Sequence, residues 1–360
     1  MIPHSTADVA IIGSGIAGMA LADALRRRDV QVAVFDSPER SAVSRGAGLI
    51  SPVAGLRFGI LENWQQWWDA AIRLYQRYDA VEPIRCLRLL YRDDEVRFWN
   101  RKHAALAGEG VAHPTALPAW IAEIVAPAQT SIEITTAARI RAARVLDRLI
   151  VQLAATGSFH ARTVAGSDIV IREDSVNVCG IECAHVVFCE GAWMAGNALF
   201  AWIPPMFARG QRIRGRIEGV CVDDTVWLSI RGRSLVLEPP NLFSYGSSYD
   251  WLSVEPAVEN ASTGHLYEEL TAILRARVHI EHVWGGVRPI VADLRPVIGK
   301  HPQWSCVWIF NGLGSRGLLL APFLAEYLAN AMVAGSSIPS EWNVDRFADR
   351  ISQCSNADTA

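Results

Sequence analysis

The chain of 360 residues predicts an α/β fold in two parts: a doubly wound, largely parallel sheet assembled from discontinuous segments, and an α+β domain built on an antiparallel sheet. Three observations predict this fold. An apolar run at residues 8–12 leads into glycines and then into a helical pattern. Two similar runs, 184–189 and 306–310, end at glycines much later in the chain. Residues 208–254 alternate polar and apolar side chains between turn residues, as antiparallel strands do.

The first apolar run predicts a strand that is buried on both faces. It ends at Gly13, and Gly13, Gly15 and Gly18 have the spacing G-x-G-x-x-G before a helical pattern. In such a turn Gly13 permits the tight bend, Gly15 lets the backbone approach a pyrophosphate, and Gly18 lets the helix pack on the strand. The helix N-terminus then offers free N–H groups to the phosphates.

The next predicted strand, VQVAVFD, ends at Asp36. An acid at this position hydrogen-bonds a ribose diol and disfavours a 2′-phosphate. Because strand, turn, helix, second strand and acid all fall within about 30 residues, the segment predicts a dinucleotide site. The segment leaves open whether the dinucleotide is NAD or FAD.

The middle of the chain alternates between loops, helices and short strands. Residues 41–55 are glycine-dense and irregular, which predicts a loop. Residues 60–79 have apolar side chains at steps of three and four, which predicts an amphipathic helix whose tryptophans lie in the core. Residues 137–157 predict one long helix, and residues 159–180 predict three short antiparallel strands.

A second glycine-rich turn follows the apolar run at 306–310. Gly312, Gly314 and Gly317 come directly before another helical pattern, so a second helix N-terminus offers free N–H donors. Two such termini indicate a long ligand with two ends, whereas NAD in a simple dehydrogenase domain uses one.

Charge and composition limit the partners. The chain has 34 Lys and Arg against 37 Asp and Glu, so no basic surplus suggests a nucleic-acid partner. The apolar segment 318–335 is interrupted by polar residues and a proline, and we interpret it as a buried helix, not a membrane span. The seven scattered cysteines predict neither a disulfide framework nor a metal site. No leader pattern precedes the first strand, so we expect a cytoplasmic protein that begins near Met1.

The motifs together resemble a known family. IIGSGIAG with Asp36, GAGLISP, VVFCEGAW, RGQ, GGVRP and GLGSRGLLLAP follow the order found in the D-amino-acid oxidase and glycine oxidase superfamily of FAD-dependent oxidoreductases. The resemblance covers most of residues 8–348. The last motif is also similar to the oxidase domain of the bifunctional tRNA wobble-uridine modification enzyme. The resemblance implies a Rossmann-like FAD-binding domain at 1–59, 131–205 and 284–349, a substrate domain at 60–130 and 206–283, and a flexible tail at 350–360.

The resemblance also assigns cofactor contacts. The first glycine turn would hold the pyrophosphate, the loop after the second strand would run along the flavin, a later strand would clamp the adenine, and the C-terminal turn would face the flavin pyrimidine. The residues implied are Gly13, Gly15, Ile16, Ala17, Gly18, Asp36, Ser44, Arg45, Gly46, Ala47, Gly48, Leu49, Val164, Gly191, Gly312, Gly314, Ser315, Arg316, Gly317 and Leu318.

The FAD is expected to be noncovalent. Members of the superfamily with covalent flavin use a cysteine shortly before the C-terminal motif. The nearby cysteine in this chain, Cys306, lies inside the predicted buried strand.

Arg288 stands in the G-x-R-P position of the family, where it would bind the substrate carboxylate as a planar fork. Glycine-oxidase-like members have a second arginine where this chain has Ser315, which leaves open whether Arg316 contacts substrate or flavin. Tyr245 and Tyr249 are further candidates for the substrate pocket, with packing in the sheet as the alternative.

The activity implied is oxidation of a small-molecule amine, either an amino acid or an N-substituted glycine. Hydride transfer to the flavin would give an imine, and O2 as the acceptor would give H2O2. Three alternatives remain: a dehydrogenase that passes electrons to a quinone or carrier, a tRNA wobble-uridine side-chain oxidase, and a non-catalytic flavoprotein.

Overall fold

The computed structural model describes residues 6–36, 46–251 and 258–351. Ser44 and Arg45 of the predicted flavin loop, and residues 352–360 of the predicted tail, lie outside the described residues.

Seven α-helices occur in the described residues: α1 (Ile16–Arg26), α2 (Trp64–Arg77), α3 (Asp93–Gly108), α4 (Ala119–Ile124), α5 (Ala142–Ala155), α6 (Asn260–Ile273) and α7 (Gly317–Ala334). The strands of the same residues are β1 (Thr6–Ile12), β2 (Val32–Asp36), β3 (Leu49–Ile50), β4 (Val53–Ala54), β5 (Gly59–Ile60), β6 (Val81–Pro83), β7 (Arg85–Leu90), β8 (Ala112–Pro114), β9 (Thr130–Ile134), β10 (Ala138–Ile140), β11 (Phe159–Ala161), β12 (Ile169–Ile171), β13 (Val176–Val178), β14 (Ile181–Phe188), β15 (Pro205–Ile217), β16 (Val226–Ile230), β17 (Arg233–Glu238), β18 (Leu242–Gly246), β19 (Val278–Val291), β20 (Val297–Lys300) and β21 (Val307–Asn311).

The first sheet is collected from distant parts of the chain. Its order is β11–β2–β1–β14; beyond β14 it divides, with β13 and β12 pairing along one half and β21 and β20 along the other. The pairs from β11 to β14 and the pair β14–β21 are parallel. The apolar runs of β1, β2 and β21 are buried on both faces. This burial explains why their apolar residues follow one another without polar alternation in the sequence.

Helices cover one face of this sheet. Helix α7 packs against α1 and α2, and its Leu320, Leu324 and Leu328 are buried in their shared core. By length and composition alone, Gly314–Ala334 could cross a membrane, a test that the core helix of a soluble protein also passes. Trp67 of α2 lies in the same core, so this helix packs with the first sheet although it follows the predicted domain boundary at residue 60.

The second sheet has the order β19–β15–β18–β17–β16–β7–β9–β8. Every pair is antiparallel except β16–β7, which is parallel. One face of the sheet packs against α6, and the core there includes Ile213, Phe243 and Tyr245. Because side chains alternate along a strand, the side chain of Arg212 points to the opposite face, toward the first sheet. Gly246, which pairs with Arg212, lies on this same face.

Two sequence predictions need correction around residues 137–161. The predicted long helix is divided, because Ala138–Ile140 forms β10, which pairs with β3 and β6 before α5 begins. The predicted antiparallel strand at 159 is β11, which pairs in parallel with β2 after the crossover through α5. β12 and β13 are antiparallel, as expected. The predicted loop 41–55 contains two short strands, β3 and β4, within its described part.

Candidate active site

A cavity of about 1050 Å³ lies between the two sheets. The two glycine turns, the loop at 46–49 and the inner face of the second sheet all contribute to its wall. Seventeen of the residues that the sequence predicts for the site line it: Gly13, Gly15, Ile16, Ala17, Asp36, Gly46, Ala47, Gly48, Leu49, Val164, Gly191, Tyr249, Arg288, Gly314, Ser315, Gly317 and Leu318.

Three glycines of the β1–α1 turn have different roles. Gly13 has a φ of 105°, and a Cβ there would overlap the carbonyl oxygen of Cys189. A Cβ on Gly18 would overlap the carbonyl oxygen of Gly13, so Gly18 allows α1 to approach the turn and does not itself line the cavity. A Cβ on Gly15 would meet no atom within 4 Å and would border the cavity. Gly15 therefore leaves open space for a ligand at the N-terminus of α1.

Asp36 is fixed at the end of β2 by the same turn. The backbone N–H and the hydroxyl of Ser14 donate to Asp36 Oδ2 over 2.7 and 2.8 Å. These bonds hold the carboxylate at the cavity wall, beside the first glycine turn.

The second glycine turn only partly faces the cavity. Gly314, Ser315, Gly317 and Leu318 line it. Gly312 does not; its φ is 74°, and a Cβ there would lie 2.8 Å from Cγ2 of Val291, so glycine serves the bend behind the wall.

Arg316 is exposed at the start of α7 and is not among the described residues that line the cavity. Its contact with flavin or substrate stays a prediction.

Asn311 joins the second glycine turn to Gly191, which follows β14, a role that sequence reasoning missed. Its Nδ2 donates to the carbonyl oxygen of Gly191 over 3.0 Å, and its Oδ1 accepts from the N–H of Gly312 over 2.8 Å. The loop at 46–49 is placed by β10, because the N–H of Ile140 donates to the carbonyl oxygen of Gly48 over 2.6 Å.

Arg288 lies on the cavity face of β19. Its Nη1 donates to the carbonyl oxygen of Ala208, and its Nη2 donates to the Ser247 hydroxyl and the Ser248 carbonyl. The guanidinium lies flat across Gly210, where any Cβ would collide with it.

The guanidinium of Arg288 also lies 4.5 Å from the centre of the Tyr249 ring. Burial lowers its pKa, and no acid among the described residues offsets that effect. Arg288 is therefore a half-buried charge whose described partners are neutral.

Residues 8–331 match the family described as FAD dependent oxidoreductase, abbreviated DAO. The chain belongs to this family of FAD-dependent oxidoreductases. Over 345 residues this oxidoreductase is 29% identical to the tRNA 5-methylaminomethyl-2-thiouridine biosynthesis bifunctional protein MnmC of Maricaulis maris, an alignment that covers 91% of this chain and 52% of that protein. The chain thus spans about half the length of that relative.

A glycine oxidase is similar over nearly its full length. The oxidoreductase is 25% identical to glycine oxidase of Pseudomonas aeruginosa over 356 residues, which cover 90% of this chain and 94% of that protein. The crystal structure of glycine oxidase from Bacillus cereus matches 92% of this chain and 96% of that chain with a TM-score of 0.75 at 16% identity, a likeness of fold. The predicted family, fold class and FAD cofactor are confirmed.

The described residues fit FAD. Gly15 leaves room beside the N-terminus of α1 for a pyrophosphate, and Asp36 lies where a ribose hydroxyl would donate to it. Val164 and Gly191 line the cavity as well, and Gly314 opens the second helix N-terminus toward it.

Tyr245 is not in the cavity, contrary to the sequence prediction. It is 1% exposed, and its hydroxyl lies 3.3 Å from a carboxylate oxygen of Glu269 on α6. Alternation along β18 explains the error: Gly246 faces the cavity, so Tyr245 must face the other side. Tyr249 does line the cavity and is 46% exposed, which places it at the mouth.

Sequence reasoning also missed Arg212 on β15. Its side chain is buried and lines the cavity, with Nε and Nη2 bonded to Ser244 and Nη2 also to the carbonyl oxygen of Ser234. Burial, then the charges of Arg288 and Arg139, lower its pKa to about 10. Alternation within RGQRIRG could have placed Arg212 on the same face as Gly210, but only once that face was known to border the cavity.

Glu190 is a third missed residue, at the other side of the cavity. Asn197 donates to its Oε2 over 2.8 Å. Burial raises the pKa of the Glu190 carboxyl, and the hydrogen bond from Asn197 opposes that rise. The signal in the sequence was an acid inside an otherwise apolar strand end, VVFCEGAW.

Proposed function

We propose that this oxidoreductase oxidises an amine that has a carboxylate, either an amino acid or an N-substituted glycine, with O2 as the final electron acceptor. The observation that carries the proposal is Arg288, a half-buried guanidinium in the cavity wall with only neutral partners among the described residues. A guanidinium presents a planar fork of N–H donors that matches a carboxylate. Glycine oxidases, which resemble this chain in sequence and fold, are named for an amino-acid substrate.

Bound FAD supplies the acceptor for a hydride from the substrate carbon. The contribution of the protein is orientation: Arg288 fixes the carboxylate, and the adjacent C–H is thereby fixed as well. The substrate nitrogen must be the neutral amine for this transfer. Its lone pair then forms the C=N bond as the hydride leaves. Water hydrolyses the imine, and O2 takes up the two electrons together with two protons to form H2O2.

An anaerobic titration tests the proposal. The FAD-loaded protein is mixed with amino acids, with N-alkyl glycines and with the matching amines that lack the carboxylate, and the flavin absorbance is followed. We expect bleaching by carboxylate-bearing amines and far weaker bleaching by their uncharged counterparts. Bleaching by none of them would contradict the proposal and would favour a non-catalytic flavoprotein.

The electron acceptor is tested separately. Air is admitted to the reduced protein, and H2O2 is measured beside the reduction of a quinone-like dye. Peroxide in proportion to the oxidised amine supports O2 as the acceptor. Rapid dye reduction with little peroxide would instead favour a dehydrogenase that uses a quinone or carrier.

Oxidation of a modified uridine side chain is a second candidate, favoured by the 29% identity to the Maricaulis maris protein. A net charge of −3 offers little electrostatic attraction to RNA, which argues for a small substrate. Bleaching by undermodified tRNA but not by free amino acids would favour this candidate.

A further inference from the structure

Arg212 places a second guanidinium in the cavity, 7% exposed and with no carboxylate beside it in the described structure. Its hydrogen bonds reach only neutral oxygens, those of Ser244 and Ser234. These bonds use Nε and Nη2, so Nη1 has no partner among residues 6–36, 46–251 and 258–351. A guanidinium has five N–H donors in a fixed plane, and here one edge of that plane remains for a ligand.

Another arginine of the same strand shows how this protein compensates a structural charge. Arg209, three residues before Arg212, is 4% exposed and forms ion pairs with Asp250 and Glu259. Burying a charge without such partners is strongly unfavourable. The contrast suggests that the counter-charge of Arg212 is supplied by a bound anion.

Arg212 and Arg288 share one wall of the cavity. β15 pairs with β19, and glycines occupy neighbouring positions of this face, namely Gly210, Gly246 and Gly286. The positive charge of Arg288 itself contributes to the lowered pKa of Arg212, so the two charges act on each other.

The acids of the cavity lie elsewhere. Among its described lining residues these are Asp36 at the end of β2 and Glu190 after β14, both on the first sheet. The wall formed by the second sheet thus has two cations, the buried Arg212 and the half-buried Arg288, and no described acid.

We propose that the amine oxidised by this protein has two carboxylates, one bound by Arg288 and the other by Arg212. This inference rests on the proposed function and narrows its substrate class to imino- and aminodicarboxylic acids. Oxidation takes place at the carbon that lies between the nitrogen and the carboxylate bound by Arg288. A hydride leaves this carbon for the flavin, a proton leaves the nitrogen for solvent, and the C=N bond forms. The second carboxylate takes no part in this step and serves recognition alone.

The test uses two ligands that cannot be oxidised in this way. Thiodiacetate has two carboxylates on either side of a sulfur atom, and methylthioacetate has only one. Their affinities for the FAD-loaded protein are measured by calorimetry. Because a hydrogen-bonded charge pair contributes about 10- to 150-fold in affinity, we expect thiodiacetate to bind the wild-type protein more tightly by a factor in that range. Equal affinities would overturn the proposal, whether or not any variant folds.

Arg212→Leu is the decisive variant, and Arg214→Leu is its matched control. Arg214 lies two residues further along the same face of β15 but does not line the cavity. We expect Arg212→Leu to lose at least about tenfold in affinity for thiodiacetate and to bind methylthioacetate within about twofold of wild type. Arg214→Leu should retain the preference. Equal losses for both ligands in Arg212→Leu would mean that Arg212 only supports the fold or the flavin, and would overturn the proposal.

Anaerobic bleaching by iminodiacetate and by N-methylglycine separates this proposal from the proposed function. Equally efficient bleaching by both would preserve the proposed function and contradict the dicarboxylate class. No bleaching by either, together with a clear preference for thiodiacetate that Arg212→Leu abolishes, would contradict amine oxidation and support two carboxylate subsites.

Discussion

Arg288 holds a positive charge inside the protein against carbonyl and hydroxyl oxygens. The resemblance of the motif GGVRP was enough to predict that Arg288 binds a substrate carboxylate, because the motif is contiguous in the sequence. Arg212 was missed because its environment depends on Ser234 and Ser244, which strand pairing alone brings beside it. Tyr245 was misplaced for the related reason that a one-residue step along a strand reverses the face.

Arg288→Leu should retain FAD and near-normal thermal stability, because it removes a partly buried charge that has only neutral partners among the described residues. For a carboxylate-bearing amine, kcat/KM should fall by at least about tenfold, as expected when a charged hydrogen bond is lost. The matching uncharged amine should lose far less. The control is Arg216→Leu, an exposed arginine of β15. Equal losses for acid and amine would remove Arg288 from carboxylate binding.

Glu190 predicts a pH effect. Its pKa is raised in the folded protein, so the folded state binds the proton more tightly than the unfolded state, and this stabilisation is present at low pH and lost as the pH rises through the folded pKa. Glu190→Gln, which is always neutral, should therefore melt at a higher temperature than wild type near neutral pH, with the gap closing toward about pH 4. Melting curves across that range check it, with the exposed Glu123→Gln as control. A difference in melting temperature that stays constant with pH would contradict the raised pKa of Glu190.

The β1–α1 turn was predictable in detail because its constraints are local. The overlaps that require glycine at positions 13 and 18 arise within the turn and with the adjacent β14. Residues 138–140 were not predictable in the same way. A helical pattern continues through them, but their pairing partners in β3 and β6 lie about 55 to 90 residues earlier, and tertiary pairing overrode the local preference.

Gly15→Val tests the N-terminus of α1. A Cβ there would meet no protein atom within 4 Å, so the variant should fold, and its side chain would occupy the space beside the free N–H groups. We expect colourless protein with a normal circular dichroism spectrum. Gly108→Val is the control, because Gly108 has equally open surroundings but lies away from the cavity. Full flavin occupancy in Gly15→Val would mean that this turn is structural only.

On the scale of the whole molecule, the cavity joins two sheets: Asp36, Arg162 and Glu190 line it on the side of the first sheet, and Arg212 and Arg288 line it on the second. Either domain alone would suggest half of the function: a dinucleotide site without a substrate site, or a cationic wall without a cofactor. The resemblance predicted both halves, because its motifs are spread along the whole chain.

The cofactor should be released when the protein is denatured. The Sγ of Cys306 lies 3.7 and 3.6 Å from the carbonyl oxygens of Arg172 and Ser175 and does not line the cavity. Cys189 borders the cavity, but burial raises the pKa of its thiol far above the ordinary value, which disfavours the reactive thiolate. Acid precipitation should leave all of the FAD in the supernatant. Yellow colour in the washed pellet would indicate a covalent bond.

The ladder between β15 and β19 joins thirteen residue pairs, from Pro205 with Val291 to Ile217 with Val278. At one end Phe207 and Val291 pack in the core of the first sheet, and at the other end Ile217 and Val278 pack in the core of the second. The paired strands therefore run without interruption from the core of one domain into the core of the other. Separating the domains would break backbone hydrogen bonds of this ladder. We therefore expect substrate and product to pass through the mouth beside Tyr249 while the two sheets stay together.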